Sequence, residues 1–466
     1  MALAVALLVA ALAITPHTCE IPQQRRASVA LPPTTTSPAL VAAAVPDAAL
    51  RRRTTLAVGM ALCNDVLLLL MLVPMLPHLL PAGSSALALS FVFSAKDAAQ
   101  LLLAPLAGAL TLHFGARRTL AASLFAVAAA TVAFAEARGL RALLAARALQ
   151  GAASAALMSG GLTLVAETHP PNERASAIAR AQAGLGVGAA IGPVFGGLML
   201  EAAGRRGAFY SVAALVLLNG VAVIAVGRGD PQPARRSKPA AERRPAAPAA
   251  RQLLSLLGNR AIATVALGIF AEYAAGGCYD GAPRNSAQFP RNSLTPHPPS
   301  TVTFGLHLAE TWGVGAAGAS LAFALEPITY LVALLLLSRA VDRGGPRRKP
   351  RFAAAGLALT ALSLPMLSLG GRRSSVAASL LLHGVGYAFK DASTHGLLAD
   401  LVDAHGAEGS YAMAFALADV ADSAGYIVGP PLGAALGAAL GSRTKGLALS
   451  GLGVLAAVPA TLALGS

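Results

Sequence analysis

The chain contains twelve apolar runs, and each is about as long as the roughly 20 residues that a helix needs to cross a membrane. The runs lie at 55–80, 86–112, 119–136, 140–166, 176–202, 207–227, 260–280, 313–338, 352–370, 375–402, 410–440 and 443–464. Only 12% of the 466 residues are charged, about half of the share that is usual in a soluble domain. The sequence therefore predicts an all-α integral membrane protein with twelve transmembrane helices.

A polar stretch divides these runs into two equal sets. Residues 228–259 are rich in arginine and proline, a composition typical of a flexible linker. We predict an N-terminal six-helix bundle at 54–227, a basic cytoplasmic linker at 228–259 and a C-terminal six-helix bundle at 260–466, with an inserted loop at 281–304. Residues 1–53 are predicted to be an N-terminal targeting or disordered segment.

The basic residues fall in alternate loops, at 113–118, 167–180, 228–259 and 339–351. Loops rich in lysine and arginine stay in the cytoplasm, so we expect both ends of the membrane domain to face it. The net charge of +15 is then explained by basic residues in cytoplasmic loops, and we expect no nucleic-acid partner. The three cysteines show no metal-ligand spacing and no P-loop is present, which gives no indication of a metal, a cofactor or an ATP-driven pump.

Two motifs occur twice, at equivalent positions of the two halves. The loop after the second run carries the first copy of one motif and the loop after the eighth run carries the second, while the fifth and eleventh runs share a Gly-Pro motif. The residues concerned are Gly108, Arg117 and Arg118, then Asp342 and Arg343, then Gly192 and Pro193, and finally Gly429 and Pro430. Internal repeats of this kind are typical of secondary transporters.

The loop motifs resemble the major facilitator signature Gly-x-Leu-x-Asp-Arg-x-Gly-Arg-Arg. The first copy has Leu112 and His113 where Asp and Arg are usual, whereas the second copy keeps both. Arg147-Ala-Leu-Gln-Gly resembles the Arg-x-x-Gln-Gly motif of that family, and the Gly-Pro-x-x-Gly-Gly run resembles one of drug:proton antiporters. The resemblance implies a major facilitator fold of two six-helix bundles and a transporter rather than an enzyme.

Most of residues 55–460 is similar to the vesicular amine transporters, which exchange luminal protons for cytosolic monoamines or acetylcholine. The stretches that carry this resemblance include Asn64-Asp65, Phe93-Ser-Ala-Lys96, Pro327-Ile-Thr-Tyr330, Gly386-Tyr-Ala-Phe-Lys-Asp391 and Ala418-Asp419 through Gly425-Tyr426. We therefore expect an amine–proton antiporter that works by alternating access.

Charged residues inside a span cost about 2.5–3.5 kcal/mol or more, so they tend to be paired and functional. The resemblance implies that Asp65 attracts the ammonium of the substrate and that Lys96 and Asp419 pair across the two halves. It also implies that Asp391 takes part in proton coupling. The adjacent Lys390 could neutralise Asp391, but neighbouring residues on a helix face different directions, so we expect Asp391 to face the cavity.

Three further residues complete the predicted site. Tyr330 and Tyr426 match family aromatics near the central cavity, where ring faces bind ammonium groups. Arg147 is expected to pair with an acidic group of the C-terminal half, for which Glu272 and Asp280 are the candidates.

The expected partners are a small cationic amine, protons and the lipid bilayer, with the protein acting as a monomer. We expect a vesicle or another acidic organelle, while the plasma membrane or a plastid remains open. Two alternatives stand beside this interpretation, namely a multidrug/proton efflux antiporter of the plasma membrane and a non-transporting membrane scaffold.

Overall fold

We describe the fold from a computed structural model of the chain. The structure describes residues 46–79, 86–227, 248–281, 316–343, 345, 348–369, 373–404, 411–440 and 443–464. Almost all of the predicted targeting segment and of the predicted inserted loop at 281–304 lies outside these residues.

Within this part of the chain there are twelve helices and no strand. In chain order the helices are α1 (Ala48–Leu79), α2 (Ala86–Phe114), α3 (Ala116–Glu136), α4 (Leu140–Thr168), α5 (Pro171–Val226), α6 (Ala249–Leu257), α7 (Arg260–Gly281), α8 (Ala316–Arg343), α9 (Lys349–Leu369), α10 (Arg373–Ala404), α11 (Tyr411–Ala439) and α12 (Arg443–Ala463).

Helix α5 is two membrane spans joined at a glycine. Its 56 residues would extend for about 84 Å, far more than the thickness of a bilayer. Gly204 has a φ of +65°, which glycine adopts without strain, and it separates a first segment (171–203) from a second (205–226). With both segments counted and the short α6 left out, the described chain has twelve segments of membrane-spanning length.

A test of length and hydropathy alone selects fewer of these helices as membrane spans. Seven helices of the described chain are both long and apolar enough to cross a membrane, or eight if the bent pair α6 and α7 forms one span. The others carry more polar residues or have ends outside the described range.

The helices form two bundles with the same internal packing. The first segment of α5 packs along α1 in the N-terminal bundle, as α11 packs along α7 in the C-terminal bundle. Likewise α2 packs on α4 as α8 packs on α10, and α3 packs on the second segment of α5 as α9 packs on α12. The predicted fold of two six-helix bundles is confirmed.

Four pairs of helices form the contacts between the bundles, and the pairs occupy equivalent positions of the two bundles. Helix α2 contacts α11 and the first segment of α5 contacts α8, while α4 and α10 add smaller contacts to α11 and α5. We call the membrane side that carries the loops at 113–118, 167–180 and 339–351 the basic end. Within the described residues, contacts between the bundles run from the basic end to about the middle of the helices.

The surface has the polarity expected for lipid. Leu102 and Leu336 expose 72% and 75% of their area, whereas Asp65, Arg147 and Glu272 are buried. Apolar side chains gain nothing by leaving lipid, while charges there are costly. The chain is an integral membrane protein.

Two helices begin outside the predicted six-helix bundles. The linker was expected to be flexible, but nine of its residues form α6, which lies at 99° to α7. Leu253 of α6 is buried against residues of α7 and α11, and this apolar contact holds the helix on the bundle. The first helix begins at Ala48, six residues before the predicted start of the N-terminal bundle at 54, and Arg51 in its first turn lies 3.5 Å from Glu173.

Candidate functional site

Asp65 lies in the middle of α1, where side chains from two other helices contact its carboxylate. Ser154 of α4 donates a hydrogen bond of 2.5 Å to Oδ1, and Nζ of Lys96 on α2 lies 3.5 Å from Oδ2. All three side chains are buried. The site thus holds a carboxylate away from water with one basic partner, an arrangement suited to competition between cations.

A glycine sets the distance between α2 and α4 beside this carboxylate. A Cβ atom on Gly151 would lie 2.1 Å from the carbonyl oxygen of Lys96, so only glycine permits the observed approach. Gly151 belongs to the Arg-x-x-Gln-Gly motif. The motif therefore positions Lys96 through backbone packing.

A hydrogen-bonded chain leads from Asp65 across to the other bundle. Lys96 Nζ donates to Gln100 Oε1 at 2.8 Å, and Gln100 Nε2 donates to Asp419 Oδ1 of α11 at 2.6 Å. The family resemblance implies a direct Lys96–Asp419 pair, but the structure interposes Gln100. We did not identify Gln100 from the sequence, although a glutamine one helical turn after a buried lysine was a usable signal.

A second buried cluster lies in the C-terminal bundle. Lys390 Nζ of α10 lies 2.9 Å from Glu272 Oε2 of α7 and 2.7 Å from Asp391 Oδ1. Tyr330 of α8 donates to Asp391 Oδ2 at 2.9 Å, and Thr360 of α9 donates to Glu272 Oε1 at 3.2 Å. Four helices therefore supply this cluster.

The expectation that Lys390 and Asp391 face apart is wrong. Lys390 is only 1% exposed, and a buried ammonium is costly unless it is paired. Its long side chain therefore curls back to two carboxylates, one of which belongs to its own neighbour.

Aromatic rings complete the surroundings of this ammonium. Lys390 Nζ lies 4.4 Å from the ring centre of Tyr273 and 5.2 Å from that of Tyr387, within the range of cation–π attraction. The ring of Tyr426 lies beside that of Tyr273 at an angle of 53°, with ring centres 5.0 Å apart, and Tyr426 is 38% exposed. Of the two predicted aromatics, Tyr330 thus contacts Asp391 and Tyr426 borders the cluster.

Arg147 is fully buried in the N-terminal bundle. It donates to Val92 O at 3.2 Å and to Gln150 Oε1 at 2.6 Å, and its guanidinium lies 5.9 Å from the ring centre of Phe134. Glu272, one of its two expected acidic partners, contacts Lys390 instead. The side chain of the other, Asp280, lies outside the described residues.

The repeated Gly-Pro motifs occupy equivalent interfaces. A Cβ on Gly192 would lie 3.2 Å from Leu67 O of α1, and a Cβ on Gly429 would lie 2.4 Å from Ala274 O of α7. Pro193 and Pro430 follow inside their helices. Both motifs therefore let a long helix pack closely along the first helix of its own bundle.

The second loop motif ties the bundles together at the basic end. Asp342, near the end of α8, accepts a hydrogen bond of 2.8 Å from the backbone N–H of Ser176 in α5. Arg174 pairs with Asp403 of α10 at 2.6 Å close by. The basic residues of both loop motifs lie at this end, half-buried at Arg117 and exposed at Arg118 and Arg343.

The first loop motif makes the equivalent contact without a carboxylate. A Cβ on Gly108 would lie 2.8 Å from Met413 Sδ and 3.1 Å from Ala412 O of α11. Leu112, which replaces the usual Asp, packs in the apolar cluster that contains Met413. The two interfaces between the bundles are thus alike in position but differ in chemistry.

The chain resembles transporters in both sequence and fold. The sequence profile of the Major Facilitator Superfamily matches residues 54–281 and 300–465. The vesicular acetylcholine transporter of Rattus norvegicus is 34% identical over 149 residues, which are 32% of this chain and 28% of that protein. The synaptic vesicular amine transporter of Bos taurus is 35% identical over 130 residues, 28% of this chain and 25% of that protein.

These relatives are matched over only about a quarter of their length. The solved structure of the human organic anion transporter MFSD10 (TETRAN) superposes with a TM-score of 0.67 at 16% identity, covering 88% of this chain and 99% of that one. At this identity the similarity concerns the fold. No group of three or more His, Cys, Asp or Glu side chains in the described chain is arranged to hold a metal ion.

Proposed function

Because the chain belongs to the Major Facilitator Superfamily and is therefore a transporter rather than an enzyme, we propose that it exchanges protons for a small cationic amine. The exchange proceeds by alternating access, in which the two bundles rock around a central site. The transporter works as a monomer in the bilayer.

The observation that carries this proposal is the buried chain from Asp65 through Lys96 and Gln100 to Asp419. Asp65 attracts the ammonium of the amine, because a desolvated carboxylate favours a cation close to it. An arriving cation competes with Lys96, and Gln100 transmits any shift of Lys96 to the opposite bundle. Substrate binding and movement of the bundles are thereby coupled.

Protons act at two carboxylates of the C-terminal bundle, Asp419 at the interface and Asp391 within the bundle. Asp419 accepts a proton from the acidic side, which weakens its hydrogen bond with Gln100 and loosens the contact between the bundles. Asp391, held by Tyr330 and Lys390, takes the second role in proton coupling. Tyr426 contributes an aromatic face to the cavity, and Arg147 supports α4 beside the site.

The membrane is that of a vesicle or another acidic organelle. The relatives named above are vesicular transporters of acetylcholine and of amines, and an acidic lumen would supply the protons. A multidrug/proton efflux antiporter of the plasma membrane is the second candidate, because the Gly192-Pro193 motif resembles that of such antiporters.

The test is uptake of radiolabelled amines into proteoliposomes with an acidic interior. Wild type is compared with Asp65→Asn and with Asp47→Asn, a matched change at an exposed aspartate before α1. Charged hydrogen bonds contribute about 1.5–3 kcal/mol, so Asp65→Asn should lower uptake by about 10- to 150-fold. Asp47→Asn should leave it unchanged.

The substrate panel separates the alternatives. Monoamines, choline esters and polyamines as preferred substrates support the vesicular function, whereas broad uptake of lipophilic cations supports drug efflux. A folded wild type with no gradient-dependent uptake over the whole panel contradicts amine transport and favours the scaffold. Full uptake by Asp65→Asn contradicts the role of Asp65.

A further inference from the structure

Lys390 occupies a complete cation site built by its own bundle. Two buried carboxylates, Glu272 and Asp391, lie within 2.9 Å of its ammonium. The rings of Tyr273 and Tyr387 lie 4.4 Å and 5.2 Å away. Carboxylates and aromatic faces around a desolvated position are the groups that recognise an organic ammonium, and here that position is filled by the chain itself.

The charges of this cluster do not cancel. Ionised Glu272 and Asp391 carry two negative charges and Lys390 carries one positive charge, which leaves one negative charge among side chains that are at most 2% exposed. A net buried charge is costly, and the cheapest remedy is usually to bind a proton. The cluster therefore has room for one additional positive charge.

Other titratable side chains face the cluster from neighbouring helices. On α10 itself, His383 and His395 interact with Lys390, and His383 also lies 3.6 Å from Glu326 of α8. Asp422 of α11 interacts with Lys390 as well, and Tyr330 donates to Asp391. Among the described residues, the ammonium of Lys390 is the only cation within 3 Å of both carboxylates.

We propose that Lys390 is a tethered cation that fills the ammonium cage of the C-terminal bundle and limits the Glu272–Asp391 pair to one exchangeable positive charge, a proton. The proposal rests on the proposed proton exchange and specifies its C-terminal site. The ammonium of the substrate is kept out of this cage by the volume and charge of Lys390. Asp65 in the N-terminal bundle is consequently left as the position for the amine.

If the cluster binds as many protons as cancel its net negative charge, the number of bound protons can be predicted for each variant. Lys390→Met leaves two negative charges and should bind two protons, whereas Lys390→Arg keeps the cation and should bind one. Glu272→Gln balances Lys390 against Asp391 and should bind none. The double variant Lys390→Met/Glu272→Gln has the net charge of wild type and should again bind one proton.

Infrared spectroscopy counts these protons without any substrate. The C=O stretch of protonated carboxyl groups is measured at pH 7 on purified protein in lipid, in H₂O and in D₂O. Relative to wild type, the signal should increase by one carboxyl in Lys390→Met and decrease by one in Glu272→Gln. It should be unchanged in Lys390→Arg and in the double variant.

Two results overturn the proposal. An unchanged signal in folded Lys390→Met shows that the lysine does not set the proton count. If Lys390→Met does not fold, an unchanged signal in Glu272→Gln does the same. The infrared measurement contains no amine, so a failure of amine uptake in the transport test does not affect the proton count. Normal amine uptake together with an unchanged proton count in Lys390→Met would reject the role of Lys390 but not the proposed amine transport.

Discussion

The hydrogen bond from Ser176 to Asp342 offers the sharpest test of how the two bundles move. It joins the start of α5 to the end of α8 across the interface, at 2.8 Å and at the basic end. Because it links the bundles where they are closed, it must break when that end opens. The first loop motif has Leu112 at the equivalent position, so Asp342→Leu places the same residue type at both equivalent positions.

The size of the effect follows from the type of bond. A hydrogen bond to a charged acceptor contributes about 1.5–3 kcal/mol, and this one contributes only to the state that is closed at the basic end. Its loss should change the ratio of the two states by about 10- to 150-fold. From a starting ratio of about 1:99, the open state would rise to between roughly 10% and 60%.

Spin-label distances measure these populations directly. Labels at Arg118, the start of α3, and Arg351, the start of α9, report the separation of the bundles because both side chains are exposed at the basic end. The labels are attached to cysteines in a background without the native Cys19, Cys63 and Cys278. Pulsed electron paramagnetic resonance in nanodiscs then gives the fraction of long distances.

A matched control lies on the same loop. Arg348→Leu also removes a charge, but from an exposed side chain, and it should leave the distance distribution as in wild type. If Asp342→Leu and Arg348→Leu give the same distribution as wild type, the Asp342 contact does not hold the basic end closed and the reasoning is refuted.

Two further predictions concern packing and pH. Gly151→Ala should lower the free energy of unfolding by about 1–3 kcal/mol, since its Cβ would lie 2.1 Å from Lys96 O. The control is Gly197→Ala, because a Cβ on Gly197 meets nothing within 4 Å. Equal melting temperatures of the two variants would contradict the close approach at Gly151. Burial lowers the pKa of His169, in the turn after α4, below its ordinary value of 6.5, so the unfolded chain binds its proton more readily and stability falls as the pH drops below that value. Melting curves at pH 8 and pH 5 should show a smaller loss for His169→Gln than for wild type, and equal losses would exclude this histidine as a cause.

The sequence by itself determined where the chain crosses the membrane. A span must be apolar over about 20 residues whatever its neighbours are, so local composition indicates it, although a strict hydropathy test selects only seven or eight helices of the described chain. The predicted runs at 86–112 and 140–166 agree with α2 and α4 to within two residues at each end. The duplication was also readable, because paired motifs such as Gly192-Pro193 and Gly429-Pro430 recur at equivalent places.

Most of the charged side chains of the candidate site could also be proposed from the sequence. Asp65, Asp391 and Asp419 stand out because an acidic residue is rare inside an apolar run. The partners of these carboxylates were harder to predict from the sequence. Ser154 and Gln100 are neutral, and each bonds to a carboxylate far away in the chain, over 89 and 319 positions.

Only the tertiary structure decided which groups meet. A side chain in a membrane span has few polar partners, so its contacts depend on how each helix is rotated and how closely its neighbour approaches. Those quantities are set by backbone packing at glycines such as Gly151, and composition does not reveal them. Lys390 shows the consequence, since its helical position places it beside Asp391 but the approach of α7 brings Glu272 and makes the pair a three-charge cluster.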